Sequence, residues 1–254
     1  MERDFWEARW AAGQVGFHQG RPNPLLEHHA GLIHDRRRIL VPLAGKAVDM
    51  RFLAERGHDV VGIELVRGAI EAFFEEQEIE TNEVEVGRFR GLVGGGVTLL
   101  AGDFFETTPE LLGRFDAIYD RAALVALPSE MRARYVEHGA RLLGSGGRVA
   151  LITFAYDQAK MDGPPFSVDD EAVRLLYAGH DVALVEERSE PPSPAFAARG
   201  LTEFLERLYV IDLRGFGLTA RPPGGGGTRS IRALSIELRV LTELDLRLVG
   251  RRVI

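Results

Sequence analysis

Residues 39–64, ILVPLAGKAVDMRFLAERGHDVVGIE, form a predicted strand–loop–helix–strand unit that ends in an acidic residue. Ile39 to Leu43 is a short apolar run bounded by small residues, as expected for a buried parallel strand that meets a loop. The apolar spacing from Met50 to Arg56 predicts a helix, and a glycine follows where helices commonly end. Asp59 to Ile63 is then a second predicted strand, with Glu64 at its carboxyl end.

The acid at the end of this unit indicates an adenosine-type ligand. In an open α/β sheet, ligands bind beyond the carboxyl ends of the strands, and an acid about 20 residues past the first turn accepts the ribose hydroxyls. Glu64 has that spacing. The loop AGKAVD has one glycine where a pyrophosphate-binding loop has three, which disfavours hydride transfer. S-adenosylmethionine (SAM), which has no phosphates, fits better, with the backbone from Leu43 to Gly45 near its amino-acid end.

Composition narrows the class of protein. The chain has 254 residues, 45% of them hydrophobic and 27% charged, which predicts one globular domain with an extension. A net charge of −7 without a long basic tract argues against nucleic-acid binding. The absence of cysteine excludes disulfides and cysteine-ligated zinc within the chain, and no metal site is predicted. No apolar stretch approaches the roughly 18 residues of a membrane span, so we expect a cytoplasmic monomer without a membrane partner.

The N-terminal segment, residues 1–35, contains both tryptophans of the chain. Trp6 and Trp10 are four residues apart, so a helix places them on one face. One interpretation is a hydrophobic helix that caps the sheet. The other is a lid whose rings cover an adenine or a methyl donor, since aromatic faces attract cations, including a sulfonium. Phe17 and His18 then lead into a glycine- and proline-rich loop that either closes over a site or links two elements.

The remaining chain alternates strands with helices. Further strands are predicted at Val97–Ala101, Phe115–Tyr119, Arg148–Phe154, Val182–Glu187 and Glu203–Leu213. Helices are predicted at 67–79, 128–143 and 170–178. This order predicts an α/β, Rossmann-like, mostly parallel sheet with helices on both faces. Residues 80–96 are predicted to be a surface excursion, because no Lys-Ser/Thr follows their glycines as a phosphate loop requires.

Several candidate site residues follow the ends of these strands. Asp103 and Phe104 come after the third strand, where an acid and an aromatic residue flank an adenine or where the acid caps a turn. Asp120 and Arg121 come after the fourth, as an ion pair or as part of a ligand crevice. The stiff run 163–166, Gly-Pro-Pro-Phe, lies in a long loop after the fifth strand, which is typical of a lid.

The last part of the chain differs in character. Residues 214–254 contain two prolines and four consecutive glycines, which predict a flexible link. A stretch that alternates apolar and charged residues follows. A β-ribbon over 230–249 is our first interpretation and an amphipathic helix the second. We therefore divide the chain into a SAM-dependent methyltransferase domain, residues 1–213, and a C-terminal extension, residues 214–254.

These features favour a SAM methyltransferase, and leave open a nucleotide-dependent oxidoreductase and a non-catalytic α/β binding module. Four strings carry more information: FWEARWAAGQVGFHQ, VPLAGKAVDMRFLAERGHDVVGIE, FDAIYDRAALVALP and GPPFSV. Together with ERLYVI they resemble the thiopurine S-methyltransferase family, particularly its bacterial members, over residues 4–213. The resemblance implies a seven-stranded class I fold whose last two strands form an antiparallel hairpin. It also implies methyl transfer from SAM, which leaves S-adenosylhomocysteine, to the sulfur of an aromatic or heterocyclic thiol, with selenium and tellurium compounds as further acceptors.

The resemblance also assigns residues. Those that match the family's SAM-binding positions are Trp10, Leu43, Glu64 and Arg121. Trp6 and Phe17 match positions over the donor and the acceptor, and Phe104 one near the adenine. We therefore predict a cofactor-binding set of Trp6, Trp10, Leu43, Gly45, Glu64, Asp103, Phe104 and Arg121. The predicted acceptor-binding set is Phe17, Arg121 and Phe166, and the predicted catalytic residues are Arg121 and Asp120, with Asp120 orienting the arginine.

Two positions depart from the family's pattern. The family's VPLCGK is VPLAGK here, with Ala44 in place of cysteine, which leaves the backbone loop intact. A second acceptor-site arginine of the mammalian members aligns near Ala195, and Arg199 is a neighbouring candidate to replace it. The identity of the acceptor is left open by this second departure.

Overall fold

The computed structural model describes residues 3–12, 19–192 and 194–214. The strands are β1 Arg38–Pro42, β2 Asp59–Glu64, β3 Asn82–Val86, β4 Phe89–Gly94, β5 Val97–Ala101, β6 Phe115–Arg121, β7 Leu143–Ala155, β8 Asp181–Glu190 and β9 Phe204–Asp212. The helices are α1 Arg3–Ala11, α2 Pro24–His28, α3 Asp49–Ala54, α4 Arg67–Glu76, α5 Pro109–Leu112, α6 Ser129–Leu142, α7 Asp170–Leu176 and α8 Pro194–Ala197. Among the described residues, none of the helices has the length and apolar character needed to cross a bilayer.

The strands form one mixed sheet in the order β3-β4-β5-β2-β1-β6-β7-β9-β8. The five central strands, from β5 to β7, run parallel to one another. Strand β9 pairs antiparallel with both β7 and β8. The predicted class I arrangement is therefore confirmed, including the antiparallel hairpin formed by the last two strands.

The sheet has nine strands rather than the seven predicted. The two additional strands are β3 and β4, an antiparallel hairpin in the segment predicted to be a surface excursion. Val84 and Val86 pack against the core, whereas the intervening glutamate is exposed, so the segment follows the two-residue period of a strand. Gly91 allows the close approach of β4 to β5, because a Cβ there would lie 1.9 Å from the carbonyl oxygen of Leu99.

Helices cover both faces of the sheet, as predicted. Successive strand residues point to opposite faces and feed two separate cores. Val41 of β1 lies in one core with Phe73 of α4. Its neighbour Leu40 lies in the other with Tyr135 of α6. Burial of apolar residues on both faces explains why the central strands are continuous apolar runs.

This topology places the candidate residues at one edge of the sheet. Strands β2 and β6 lie on either side of β1. The strand order therefore runs outward from β1 in opposite directions, through β2 on one side and through β6 on the other. Such a switch point opens a crevice at the carboxyl ends of the strands. Leu43, Glu64 and Arg121 follow or end these three strands and therefore lie beside the crevice.

Some predictions fall outside the described residues. Phe17 and His18 lie in 13–18, which the structure does not describe, so their predicted roles stay predictions. The same holds for residues 215–254, for which a ribbon or an amphipathic helix was predicted. The boundary between the domain 1–213 and the extension 214–254 likewise stays a prediction.

Candidate functional site

A cleft of about 860 Å³, its open mouth included, lies beyond the carboxyl ends of β1, β2 and β6. Its walls come from α1, from the loops that follow β1, β2 and β6, and from the proline-rich loop after β7. The cleft is therefore where the topology predicts a ligand.

Glu64 lies in this cleft with 6% of its surface exposed. One carboxylate oxygen accepts a hydrogen bond from the backbone N–H of Gly45 and the other from that of Val66, each at 2.8 Å. Burial raises the pKa of Glu64 above its ordinary value, and the backbone hydrogen bonds oppose that shift. The Leu65 backbone N–H also acts on this carboxylate, which has about four acceptor positions in all. The group is thus rigidly held and still able to accept a ligand hydroxyl.

The cleft wall includes two residues in the left-handed backbone region. Leu43, after β1, has φ 47°, and Ala122, after β6, has φ 67°. Left-handed backbone costs non-glycine residues roughly 1–2 kcal/mol each. Glu78 is the other such residue in the described part of the chain. Two of three strained positions therefore border the cleft, which is typical of functional sites.

Helix α1 places both tryptophans on the cleft. Trp6 and Trp10 line it, and Trp6 is 9% exposed. Trp6 packs on Val66 and Ala69 where α4 begins. Phe5, next to Trp6 in α1, is 45% exposed. The helix therefore forms a wall of the cleft, an arrangement that favours the lid interpretation over a simple cap of the sheet.

Arg121 lines the cleft at the end of β6 and forms a buried ion pair with Asp49. Its Nε and Nη2 atoms lie 2.9 Å and 2.6 Å from Oδ2 of Asp49. Burial by itself lowers the pKa of Arg121, but Asp49, Tyr119 and Glu206 together outweigh it, so the pKa is raised and the guanidinium stays charged. Asp49 was not among the predicted residues.

Asp120 does not orient Arg121, and this part of the prediction is wrong. Its carboxylate accepts hydrogen bonds from the Tyr135 hydroxyl at 2.7 Å and the Leu124 backbone N–H at 3.1 Å. The physical reason is strand alternation, since consecutive residues of β6 point to opposite faces of the sheet. Burial raises the pKa of Asp120 to about 6, although these hydrogen bonds oppose the shift.

Asp103 and Phe104 occupy a turn after β5. The Asp103 side chain accepts a hydrogen bond from the Phe105 backbone N–H at 2.8 Å, the turn-capping alternative of the prediction. The Phe104 ring is buried against Tyr135 and His138. Neither residue is part of the cleft wall as the described residues form it. Their contact with an adenine stays a prediction.

The proline-rich loop reaches the cleft through residues other than the predicted one. Pro164 and Pro165 line the cleft. Phe166 does not, because its backbone N–H is bound to the Val125 carbonyl at 2.6 Å and its ring lies near the Arg132 guanidinium. Phe166 therefore lies outside the cleft wall that Pro164 and Pro165 line, and its contact with an acceptor stays a prediction.

Arg199 is exposed, and its charge acts on Tyr156. Burial raises the pKa of Tyr156, and Arg199 is one of the smaller opposing effects. The Tyr156 hydroxyl donates to the Pro165 carbonyl at 2.5 Å, which ties this residue to the proline-rich loop. A role for Arg199 at the acceptor stays a prediction, and the side chain of Ala195 lies outside the description.

Other residues of the cleft wall were missed by sequence reasoning. They are Arg9, Ala44, Lys46, Ala47, Leu65, Ala122, Val125, Ala126 and Phe154. Arg9 and Lys46 add positive charge to that of Arg121, and Glu64 is the single acid among the described lining residues. The i+3 spacing of Arg9 from Trp6 was a usable signal, since it places both on one face of α1.

One group of side chains outside the cleft has metal-ligand chemistry. His28, His29 and Glu186 each bring a ligand atom within 4.8 Å of the others. Glu186 is already paired with Arg188 and His29, and hydrogen bonds from Arg188 and then His29 lower its pKa to about 2. We assign no metal to this group.

The cleft fits the chemistry of SAM. Its single carboxylate, Glu64, is available to ribose hydroxyls, and its cations face a ligand that also carries a carboxylate. The tryptophan faces suit a sulfonium. The exposed lining is mostly apolar, as an adenosyl group requires, and the loop after β1 has no triple-glycine phosphate cradle.

Comparison with known proteins agrees with this chemistry. A sequence model described as Thiopurine S-methyltransferase (TPMT) matches residues 1–214. The chain belongs to the thiopurine S-methyltransferase family. A thiopurine S-methyltransferase from Bordetella petrii is 42% identical over 85% of this chain and 100% of its own length. One from Pseudomonas aeruginosa is 43% identical over 84% and 99%.

Solved structures show the same fold at low identity. A Burkholderia thailandensis 1,6-didemethyltoxoflavin-N1-methyltransferase, solved with bound 1,6-didemethyltoxoflavin and S-adenosylhomocysteine, has a TM-score of 0.55 and 17% identity over 84% of this chain and 87% of its own. A SAM-dependent methyltransferase from Anabaena variabilis has a TM-score of 0.54 and 16% identity over 84% and 95%. With the family match, these findings identify this member of the thiopurine S-methyltransferase family as a SAM-dependent methyltransferase of the class I fold and exclude the oxidoreductase alternative.

Proposed function

We propose that the protein transfers the methyl group of SAM to the sulfur of a small aromatic or heterocyclic thiol. The observation that carries the proposal is the pairing, in one cleft, of a buried carboxylate, Glu64, with a buried arginine, Arg121. The first suits the ribose of the donor and the second an anionic acceptor. The names of the 42–43% identical relatives support sulfur as the accepting atom.

We assign the donor to the side of the cleft formed by β1, β2 and α1. Glu64 accepts from the ribose hydroxyls, and the backbone of Leu43 to Gly45 lies beside the amino-acid end. Trp6 and Trp10 cover the donor. Bound SAM supplies an electrophilic methyl group on a sulfonium, which an acceptor sulfur takes by in-line displacement.

Arg121 is the residue that we assign to the acceptor. Its secure positive charge stabilises a thiolate over a thiol. An aromatic thiol is acidic enough to ionise near neutral pH, so the site needs no strong general base. Because attack by a thiolate on a sulfonium cancels charge, orientation and the exclusion of water supply much of the catalysis. Trp6, Trp10 and the Pro164-Pro165 loop exclude that water.

Acceptors other than thiols fit the same chemistry. Selenium and tellurium anions share the nucleophilicity and negative charge of a thiolate, so we include them as acceptors beside thiopurine-type thiols. We further propose that the protein acts as a cytoplasmic monomer that needs neither nucleic acid nor a membrane. Size-exclusion chromatography with light scattering tests the monomer directly.

Binding and turnover test the proposal separately. By calorimetry, we expect SAM and S-adenosylhomocysteine to bind and NAD not to bind. A methyl-transfer assay over aromatic thiols, aliphatic thiols, selenite and tellurite then identifies the acceptor class. Turnover with aromatic thiols above the other classes supports the proposal. Binding of SAM without turnover on any acceptor of this panel would contradict it.

A further inference from the structure

A buried carboxylate lies behind Arg121 that methyl transfer does not itself use. Asp49, the first residue of α3, has no exposed surface. Its Oδ2 atom accepts both hydrogen bonds from Arg121. Its Oδ1 atom accepts from the backbone N–H of Asn23 at 2.7 Å and from the Tyr119 hydroxyl at 3.2 Å. One carboxylate therefore holds β6 and the start of α2 together.

Asn23 connects this carboxylate to the N-terminal part of the chain. Asn23 is fully buried and caps α2, because its Oδ1 atom accepts from the Leu25 backbone N–H at 2.8 Å. Its Nδ2 atom donates to Glu206 of β9 at 2.9 Å. Helix α1, which carries the cleft tryptophans, precedes this point in the chain. Asp49 thus fixes Asn23, at the start of α2, through the same carboxylate that fixes Arg121.

The charges around Arg121 come from several elements. Asp49 on α3, Tyr119 on β6 and Glu206 on β9 all act on its guanidinium. Arg9 and Lys46 share the cleft with it. Asp49 is the group that combines full burial with two short hydrogen bonds to the guanidinium. Removing one partner of such a pair leaves a buried charge uncompensated, so the arginine must move or draw in water.

We propose that Asp49 is a positioning residue, whose buried carboxylate holds Arg121 against the acceptor side of the cleft and couples that arginine to Asn23 at the start of α2. The consequence for catalysis rests on the proposed function, in which Arg121 acts on the acceptor. The geometric part does not, since it concerns where the Arg121 side chain is held.

The first experiment tests the geometry without turnover. In ¹⁵N-labelled protein, the Nε–H of Arg121 is buried and hydrogen-bonded, so we expect a resonance that exchanges slowly with solvent. Its absence from Arg121→Gln assigns it. We expect Asp49→Asn to lose this protection. The control Asp212→Asn breaks another two-bond arginine–carboxylate pair, Arg148–Asp212, away from the cleft wall, and should keep the Arg121 resonance.

The second experiment is a double-mutant cycle in kcat/KM. We expect Asp49→Asn and Arg121→Gln each to lower kcat/KM at least about tenfold, and the double variant to fall within about threefold of Arg121→Gln alone. A residue that only supports the fold gives effects that multiply instead. The calorimetric Kd for S-adenosylhomocysteine should change less than kcat/KM, because the donor is held mainly by Glu64 and the β1 loop.

A third variant separates the effect of the position of the Asp49 carboxylate from the effect of its charge. The same variant replaces Asp49→Asn in these experiments if Asp49→Asn does not fold. Asp49→Glu keeps the carboxylate and moves it by one methylene. Positioning predicts an altered Arg121 resonance and reduced kcat/KM, whereas a role through charge alone predicts neither. An unchanged Arg121 resonance in Asp49→Asn, or in Asp49→Glu where Asp49→Asn is unfolded, would overturn the inference. If Arg121→Gln kept full activity, the proposed role of Arg121 would fail, and the resonance would still decide whether Asp49 positions it.

Discussion

Two carboxylates at the ends of β2 and β6, Glu64 and Asp120, have different partners and therefore different consequences when changed. Glu64 faces the cleft and receives backbone N–H groups on both oxygens. Asp120 belongs to the core on the other side of β6 and bonds Tyr135 and Leu124. Strand position predicted the first placement. The second needed the two-residue alternation of a strand, which places neighbours on opposite faces.

Glu64→Gln tests the assignment of the donor site. Glutamine keeps the shape of the side chain but loses the charge and one acceptor oxygen. Its amide N–H₂, a donor, then faces the backbone N–H of either Gly45 or Val66, which is a donor as well. We expect the Kd for SAM to rise about 10- to 100-fold, the effect of losing hydrogen bonds to a charged group. Calorimetry measures it. Glu71→Gln, on the exposed side of α4, is the matched control and should leave the Kd unchanged; equal affinities in the two variants would refute the assignment.

Asp120→Asn tests the electrostatics of the core through pH. Burial raises the pKa of Asp120 from 3.8 to about 6. Between these pH values the folded protein holds a proton that the unfolded chain releases. The contribution of protonated Asp120 to the free energy of unfolding is therefore fully present below pH 3.8 and is lost as pH rises to about 6. The shift corresponds to about 3 kcal/mol. Urea unfolding measures the free energy of unfolding between pH 4 and 6.5. Over this range we expect Asp120→Asn to gain stability of that order relative to the wild type, and parallel curves of the free energy of unfolding against pH would contradict this.

At the scale of elements, the strands of the class I core were predictable because each is a short, buried apolar run. The β3–β4 hairpin was not, since Asn82–Val86 has exposed glutamates and β4 contains glycines. Those glycines looked like loop residues. Gly91 instead permits close approach to the backbone of Leu99, a contact that depends on which strand lies alongside.

Gly91→Ala tests whether the hairpin is an integral part of the sheet. An added Cβ meets the backbone oxygen of Leu99, which cannot rotate away. We expect the free energy of unfolding in urea to fall by at least about 2 kcal/mol. Gly68→Ala is the control, because a Cβ at this position in α4 meets no atom within 4 Å, and it should be neutral or mildly stabilising. Equal stability of the two variants would show that β4 does not pack as described.

At the scale of the whole molecule, the order of strands and helices specified the fold class, and the strand ends placed Leu43, Glu64 and Arg121 at one cleft. The Asp49–Arg121 pair joins residues 72 positions apart. No local pattern indicates such a partner, because an acid at a helix start has a local explanation as well. Which residue of the proline-rich loop faces the cleft likewise depends on the backbone path of the loop, and no local sequence pattern predicts that path.

The C-terminal extension is testable at this scale too. The family match ends at residue 214, and relatives of 42–43% identity are covered almost entirely by 216–219 aligned residues. We expect a chain shortened after residue 217 to keep its Kd for SAM and its kcat/KM within about twofold, because every described cleft residue remains. Calorimetry and the transfer assay measure both. Loss of SAM binding on shortening would contradict this expectation.

Methyl transfer itself is tested most directly with SAM labelled as CD₃ and an aromatic thiol, followed by mass spectrometry of the product. We predict an S–CD₃ thioether from the wild-type protein and, from Arg121→Ala, at least about tenfold less at the same SAM saturation. Label on nitrogen or oxygen of the acceptor, or equal thioether from both proteins, would contradict sulfur methylation assisted by Arg121 in this cleft.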